Sequence, residues 1–133
     1  HVRVYASVDQ PEVLAKANVF LTHCGMNSVS ESLYMATPMV LYPQTNEQRA
    51  VARRVREIGA GLELQEDSAV GIRAAVREIL SAPAYAKAAQ DCAGEAAAAR
   101  RKRRTLSKMH RIYSENRTID NKSQFIFRNG NIN

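Results

Sequence analysis

Short apolar runs alternate with amphipathic stretches along this chain. Val2-Arg3-Val4-Tyr5 alternates apolar and polar positions and predicts a short strand. Residues 10–17 follow with Pro11 near the start and apolar residues at helical spacing, which predicts a helix ending at Asn18. Val19-Phe20-Leu21-Thr22 is the continuous run expected of a strand buried on both faces of a parallel sheet. A tight polar turn, His23-Cys24-Gly25-Met26-Asn27-Ser28, leads into a predicted helix from Ser28 to Met35, stopped by Pro38. Met39-Val40-Leu41-Tyr42 is a second buried-type strand, closed by Pro43. A longer helix is expected from Glu47 to Ile58, ended by Gly59-Ala60-Gly61, and Leu62-Glu63-Leu64 reads as an edge strand. Ser68 is placed to cap a helix over 69–80 with Val70, Val76, Ile79 and Leu80 on its inner side. Ser81-Ala82-Pro83 breaks it, and an alanine-rich helix follows to about Arg104. Strands that each end in a turn opening a helix indicate an α/β fold with a parallel sheet flanked by helices.

After Arg104 the pattern is lost. Residues 105–133 are rich in Asn, Ser, Arg and Lys with scattered apolar positions, and read as a basic, disordered tail behind a single α/β domain at 1–104. The net charge of +6 divides at about the same point. Residues 1–99 hold 9 Lys and Arg against 11 Asp and Glu, a net of −2, whereas residues 100–133 hold 10 against 2, a net of +8. A nucleic-acid-binding domain spreads its basic residues over a folded face, so no nucleic-acid partner is expected. The run Arg100-Arg101-Lys102-Arg103-Arg104 reads first as a solvated helix end suited to the dipole, with a patch for acidic lipid or nucleic acid as the alternative. With 45% hydrophobic and 24% charged residues, the composition excludes a collagen-like, wholly disordered or disulfide-stapled chain. Cys24 and Cys92 lie far apart without a metal-ligand spacing, so two reduced thiols, a cytoplasmic setting and no metal site are expected. No apolar run is long enough for a transmembrane helix. The chain starts at His1, inside a predicted strand, and reads as a piece of a longer polypeptide.

Candidate chemistry concentrates in two turns. In a parallel sheet, ligands bind where the carboxyl ends of strands turn into helices. Gly25, Asn27 and Ser28 at a helix start offer backbone N–H groups and the positive end of a dipole, which suits a phosphate or diphosphate. His23 closes the strand and can face the same crevice, and Glu31 lies one turn into the helix, within reach of polar groups such as ribose hydroxyls. Plain helix capping would account for the same residues. In the second turn, Glu47 beside Gln48 supplies acceptors and donors together, as recognition of sugar hydroxyls requires. Here the simpler reading is capping by Asn46, with Glu47 at the dipole's positive end.

Taken in order, Gln10 at a turn, a strand ending in His-Cys-Gly-Met-Asn-Ser, Glu31, Pro-Met-Val, then Pro43 and Glu47-Gln48 resemble the donor-binding signature of the UDP-glycosyltransferases. The likeness is strongest to their bacterial macrolide-type branch, covers residues 1 to about 100, and is most specific from Phe20 to Gly61. It implies a Rossmann-like sheet, part of the C-terminal domain of a two-domain GT-B fold. It also implies that Gln10 hydrogen-bonds the uracil and that His23, Gly25, Asn27 and Ser28 hold the diphosphate. By the same resemblance Glu31 binds the ribose, and Glu47 and Gln48 bind the donor sugar. The family's reaction is direct displacement at the anomeric carbon with inversion, using no cofactor or metal beyond the UDP-sugar itself.

Three positions depart from that pattern: Ser7 stands where the family has a uracil-stacking Trp, Asp9 where it has Pro, and Val51 where it often has Asn. Tyr5 is the available substitute for stacking. The acceptor-binding half and the catalytic His base of the family lie N-terminal to this region, so no catalytic residue is expected in this chain. His23 matches the diphosphate position, and His1 and His110 are terminal or in the tail. The leading expectation is an inverting glycosyltransferase fragment that binds a UDP-sugar for transfer to a hydroxyl of a small lipophilic acceptor, inactive alone. The alternatives are a donor-binding subunit completed by a partner chain and a degenerate nucleotide-binding module.

Overall fold

The computed structural model describes residues 2–101 and 125–127. Its first elements are helix α1 (Gln10–Leu14), strand β1 (Val19–Thr22), helix α2 (Met26–Tyr34) and strand β2 (Met39–Leu41). Helix α3 (Asn46–Glu57), strand β3 (Gly61–Glu63), helices α4 (Ala69–Ser81) and α5 (Pro83–Arg101) and strand β4 (Phe125–Phe127) complete the order. The sheet order is β3-β2-β1-β4, with β1, β2 and β3 parallel and β4 antiparallel to β1. Phe20 lies opposite Met39 and Val40 opposite Leu62, so the three parallel strands are in register and end at one edge of the domain. The expected α/β architecture is therefore present.

Side chains alternate along each strand, and the alternation divides the core in two. Phe20, Met39 and Leu41 pack with Leu14, Val29, Val51, Val55 and Ala89, so α1, α2, α3 and α5 cover one face. Val19, Leu21 and Val40 pack with Ala75, Val76 and Ile79 of α4 on the other. Burial on both faces is why β1 and β2 read as unbroken apolar runs. The second face also fixes the rotation of helix α4. Its inward stripe is Ile72, Ala75, Val76 and Ile79, one helical face, whereas Val70 is 72% and Leu80 40% exposed, correcting their assignment to the inner side.

Helix ends obey local chemistry. Asp9 accepts the Glu12 N–H and caps α1, so the residue that replaces a proline in the resembling family has a structural use here. Ser68 accepts the Gly71 N–H and caps α4, as its sequence predicts. At the end of α3, Gly59 takes a φ of +77°, and the Gly59 and Ala60 N–H groups bond the Arg56 and Val55 carbonyls, the paired bonds of a Schellman ending.

Two expectations are corrected. Val2–Tyr5 is not a strand: no partner strand lies beside it among the described residues, and Val2 and Val4 are 86% and 90% exposed. Alternation alone does not hold a strand without a sheet to join. The tail, expected to lack structure throughout, contributes Phe125–Phe127 to the sheet. Its other residues, Lys102-Arg103-Arg104 at the expected end of α5, and His1 and His110 lie outside the described residues.

Thr37 ties the layers together. Its buried hydroxyl donates to the Leu14 carbonyl at 2.9 Å, and its carbonyl accepts the Ser32 hydroxyl at 2.8 Å, joining α1, α2 and the start of β2. Replacing Thr37→Val removes the hydroxyl's bond to Leu14, while the Leu14 carbonyl keeps the Ala17 N–H at 3.0 Å. It is expected to destabilise the fold by about 0.5–1.5 kcal/mol in chemical denaturation, the net worth of one hydrogen bond.

Candidate functional site

β1 and β2 are neighbours and end together, so the turns after them face the same end of the sheet. The first turn is short and strained. Cys24 adopts a φ of +69°, a left-handed conformation that costs a non-glycine residue about 1–2 kcal/mol. It is held there from behind: the buried Thr22 hydroxyl accepts the Cys24 N–H at 3.2 Å, and the Cys24 thiol donates to the Thr22 carbonyl at 3.6 Å. The sequence pattern did not single out Thr22 or Cys24 as site residues. The signal that could have found them is the abrupt passage from a buried strand to a helix within three residues.

The turn delivers the chain to Gly25, the N-cap of α2, in an extended conformation. α2 begins at Met26 rather than Ser28, so Asn27 and Ser28 lie in its first turn instead of before it. No side chain caps this helix, and its first bond runs from the Val29 N–H to the Gly25 carbonyl at 3.0 Å. Asp9, Thr45 and Ser68 each cap their own helices. The uncapped N–H groups of α2 are thus left for an acceptor from outside, at the positive end of the dipole. Plain capping, the simpler explanation of this turn, does not describe it.

His23 folds back over the turn. A side chain built on Gly25 would place its Cβ 2.9 Å from His23 Nε2, so only glycine leaves room for the imidazole in this position. Nδ1 of the same ring is buried and has no hydrogen-bond partner. Residues 17–48 contain no Lys or Arg, so the turn's own segment presents an anion with the positive end of the α2 dipole and the His23 ring.

The remaining predicted residues form two groups. Gln10 Nε2 donates to Glu31 Oε2 at 2.8 Å and to Ser28 Oγ at 3.2 Å, so three residues separated by up to 21 positions meet beside the start of α2. Tyr5 is 62% exposed and Ser7 is exposed, and neither joins this group by a hydrogen bond. Glu47 and Gln48 lie at the start of α3, beyond β2. There Thr45, not Asn46, is the cap: its hydroxyl accepts the Gln48 N–H at 3.2 Å, completing a capping box. Gln48 Oε1 accepts the N–H groups of Gln44 and Thr45 at 2.7 and 3.1 Å. Its oxygen is thereby occupied, leaving the amide N–H₂ as the group it can offer, next to the exposed carboxylate of Glu47. The Thr-x-x-Gln spacing carried this signal in the sequence. Val51, the third departure from the family pattern, is 9% exposed and packs in the core.

A further contact braces the second turn. The Tyr42 hydroxyl donates to Asp67 Oδ2 at 2.5 Å, joining the β2–α3 and β3–α4 loops, and this bond raises the pKa of the phenol. The Cys24 thiol is pushed up to about 12, chiefly by burial. Cys24 and Cys92 are both free. Among the described residues, no group of three His, Cys, Asp or Glu side chains could hold a metal ion. No helix of the described residues is long and apolar enough to cross a membrane.

Comparison with known proteins identifies the family and the fold. Residues 1–109 match the family described as "Erythromycin biosynthesis protein CIII-like, C-terminal domain". The NDP-glycosyltransferase YjiC of Bacillus licheniformis is 42% identical over 90 residues, 66% of this chain and 23% of that protein. Among solved structures, the glycotransferase of kitacinnamycin superposes with a TM-score of 0.67 at 37% identity, over 72% of this chain and 26% of that one. The spinosyn forosaminyltransferase SpnP shares the fold, with a TM-score of 0.66 at 24% identity, over 71% of this chain and 26% of that one. The chain thus spans about a quarter of the length of these relatives.

Two outcomes are expected from the turn. Gly25→Ala suits the backbone conformation, so its stability cost should stay below about 1 kcal/mol, while the new Cβ displaces the His23 ring. The histidine ring resonances in NMR spectra report this, and unchanged shifts would refute the packing of His23 on Gly25. The second concerns pH. Folding holds the Cys24 proton more tightly, so between the ordinary thiol value of 9.0 and about 12 the native state binds more protons than the unfolded one. Stability therefore falls as pH rises through that window, by at most about 1.4 kcal/mol per pH unit from this group. Cys24→Ala should flatten that slope in denaturation measured from about pH 8.5 to 11.

Proposed function

Since this chain belongs to the erythromycin biosynthesis protein CIII-like C-terminal domain family, a glycosyltransferase family of GT-B fold, we propose that it binds a nucleoside-diphosphate sugar at the ends of β1 and β2. The observation that carries the proposal is the uncapped start of α2, with His23 lying over Gly25 beside it. In this reading the diphosphate accepts N–H groups of the first turn of α2, and His23 stabilises its charge, with Asn27 and Ser28 adding polar contacts. Glu31 accepts from the ribose hydroxyls, and Gln10, the residue expected to meet the uracil, also orients the Glu31 carboxylate through their mutual bond. Glu47 accepts from and Gln48 donates to the hydroxyls of the sugar.

The same site gives the chain's residues a role in transfer. When the bond to the anomeric carbon breaks, charge develops on the departing diphosphate, and fixed N–H groups aimed at that position stabilise it without rearrangement. The helix start and His23 do this work, so the proposal includes no metal or other cofactor. We place the base that deprotonates a small lipophilic acceptor, and the face on which inversion occurs, in polypeptide outside this chain. The chain spans about a quarter of its relatives, which supports that division; a partner chain supplying the acceptor half is the variant of this reading. The proposed setting is cytoplasmic, and the isolated chain is expected to bind donor without transferring sugar.

Calorimetric titration of the chain with UDP, UDP-glucose and NADH tests the proposal. Saturable binding of UDP is expected, with none of NADH. His23→Ala and Glu31→Gln should each weaken UDP by about tenfold or more, the magnitude of a lost hydrogen bond to a charged group. A chain that is folded by circular dichroism and does not bind UDP would overturn it and favour the degenerate-module alternative.

A further inference from the structure

β2 and β3 end side by side. Leu41 lies opposite Glu63, and the Leu64 N–H donates to the Leu41 carbonyl at 2.8 Å. The β2–α3 loop at 42–45 and the β3–α4 loop at 64–68 therefore leave the sheet together. Tyr42 opens the first loop. Its N–H donates to the Thr22 carbonyl at 2.8 Å, and its half-buried ring packs against the core face that α4 covers. The second loop is pinned to the helix it precedes. The Ser68 N–H donates to the Glu66 carbonyl at 2.9 Å, and the Ser68 hydroxyl donates to Glu66 Oε1 at 2.6 Å while accepting the Gly71 N–H at 3.0 Å. A Cβ on Gly71 would run into the Glu66 carbonyl, so only glycine lets this loop lie so close to α4. Asp67 thus stands between two residues held in place by their own bonds.

A hydrogen bond joins the loops and begins a chain of contacts that ends at the start of α3. The Tyr42 hydroxyl donates to Asp67 Oδ2 at 2.5 Å, a short bond to a carboxylate. The Tyr42 carbonyl accepts Gln44 Nε2 at 3.3 Å, and the Gln44 N–H donates to Gln48 Oε1 at 2.7 Å. The amide of Gln48 is thereby turned so that its N–H₂ group faces away from the loop, next to Glu47.

We propose that Tyr42 and Asp67 are a positioning pair for the sugar half of the donor: their bond holds the 42–48 turn so that Glu47 and Gln48 meet the sugar. This rests on the reading of the α3 start as the sugar-binding turn. Neither residue of the pair touches the donor, and the nucleotide half, held at the start of α2, does not depend on it. The bond is open to water, so its effect is a few-fold change in affinity rather than orders of magnitude.

Calorimetry of the full chain with UDP and with UDP-glucose separates the two halves. Tyr42→Phe keeps the ring and removes the hydrogen-bond donor; Asp67→Ala removes the acceptor. Each should weaken UDP-glucose by about three- to tenfold and leave UDP within about twofold. Both variants break the same bond, so the double variant should bind no more weakly than either single one. Hydrogen exchange without ligand reads the turn itself. In Tyr42→Phe the Gln44 amide should exchange at least about threefold faster, while the Gly71 amide, bonded to Ser68, keeps its rate. Equal losses for both ligands, no loss for UDP-glucose, or additive losses in the double variant overturn the proposal, and UDP binding by the parent then leaves the donor reading standing. A folded parent that binds neither ligand overturns the donor reading instead. The exchange rates then decide the pair: an unchanged Gln44 rate refutes it, and a faster one upholds its hold on the turn.

Discussion

Everything at the candidate site depends on how β1 stops. A strand buried on both faces has to give way to a helix that packs back on the same sheet, and here only three residues separate them. The chain makes the reversal by putting Cys24 into the left-handed region and bonding its N–H to the hydroxyl of Thr22, two residues earlier. That single bond accounts for a polar residue at the end of an apolar strand. It also sets the geometry of the next residues: Gly25 is left extended, the His23 ring lies over it, and α2 starts with its first N–H groups unclaimed by any side chain. A longer loop would have allowed a Ser or Asp to cap the helix, as happens at α1 and α4.

The neighbouring turn is built by the opposite rule. α3 carries a capping box that satisfies the Gln48 and Thr45 N–H groups, and its side chains present the Glu47 carboxylate and the Gln48 amide. One helix start thus suits an anion and the other suits hydroxyls, on adjacent strands of one sheet. α1, five residues long, adds a third component, held against α2 by the buried Leu14 side chain, the Thr37 bond to the Leu14 carbonyl and the Gln10 bonds to Ser28 and Glu31. A helix so short has little stability of its own.

The strands and helices that cross the core were legible in the sequence because burial on both faces writes an unbroken apolar run, and burial on one face writes a helical stripe. Errors fell where that pattern is ambiguous. Val70 and Leu80 are apolar but off the stripe that contains Ile72, Val76 and Ile79. Val2–Tyr5 alternates as a strand does, yet strand formation needs a neighbour, which alternation does not supply. β4 was hidden for the converse reason: three apolar residues in a polar context carry no period, and only their place beside β1 gives them structure. At the site, residue types were readable but geometry was not. Nothing in the order of residues says that the Gln48 oxygen turns inward or that Gln10 reaches Glu31.

Among the described residues two non-glycines take a positive φ, Cys24 at 69° and Ala36 at 57°, and Cys24 lies in the turn of the candidate site. A left-handed Cys24 costs about 1–2 kcal/mol. A missing side-chain cap on α2 forgoes about 1 kcal/mol, and the buried, unpartnered Nδ1 of His23 costs about 1–3 kcal/mol. Together these are a sizeable share of the roughly 5–15 kcal/mol by which a domain is stable. The departures from the family pattern behave differently. Asp9 caps α1 and Val51 fills the core, so two of them strengthen the fold where they stand. A decaying site would be expected to lose its strain first, since a capping residue at position 25 or a glycine at position 24 would relieve it by one substitution. Here the fold is reinforced around the turn, while α2 keeps a start that no side chain caps and His23 keeps an unpartnered Nδ1. That distribution is the one expected of a domain whose stability supports a ligand site.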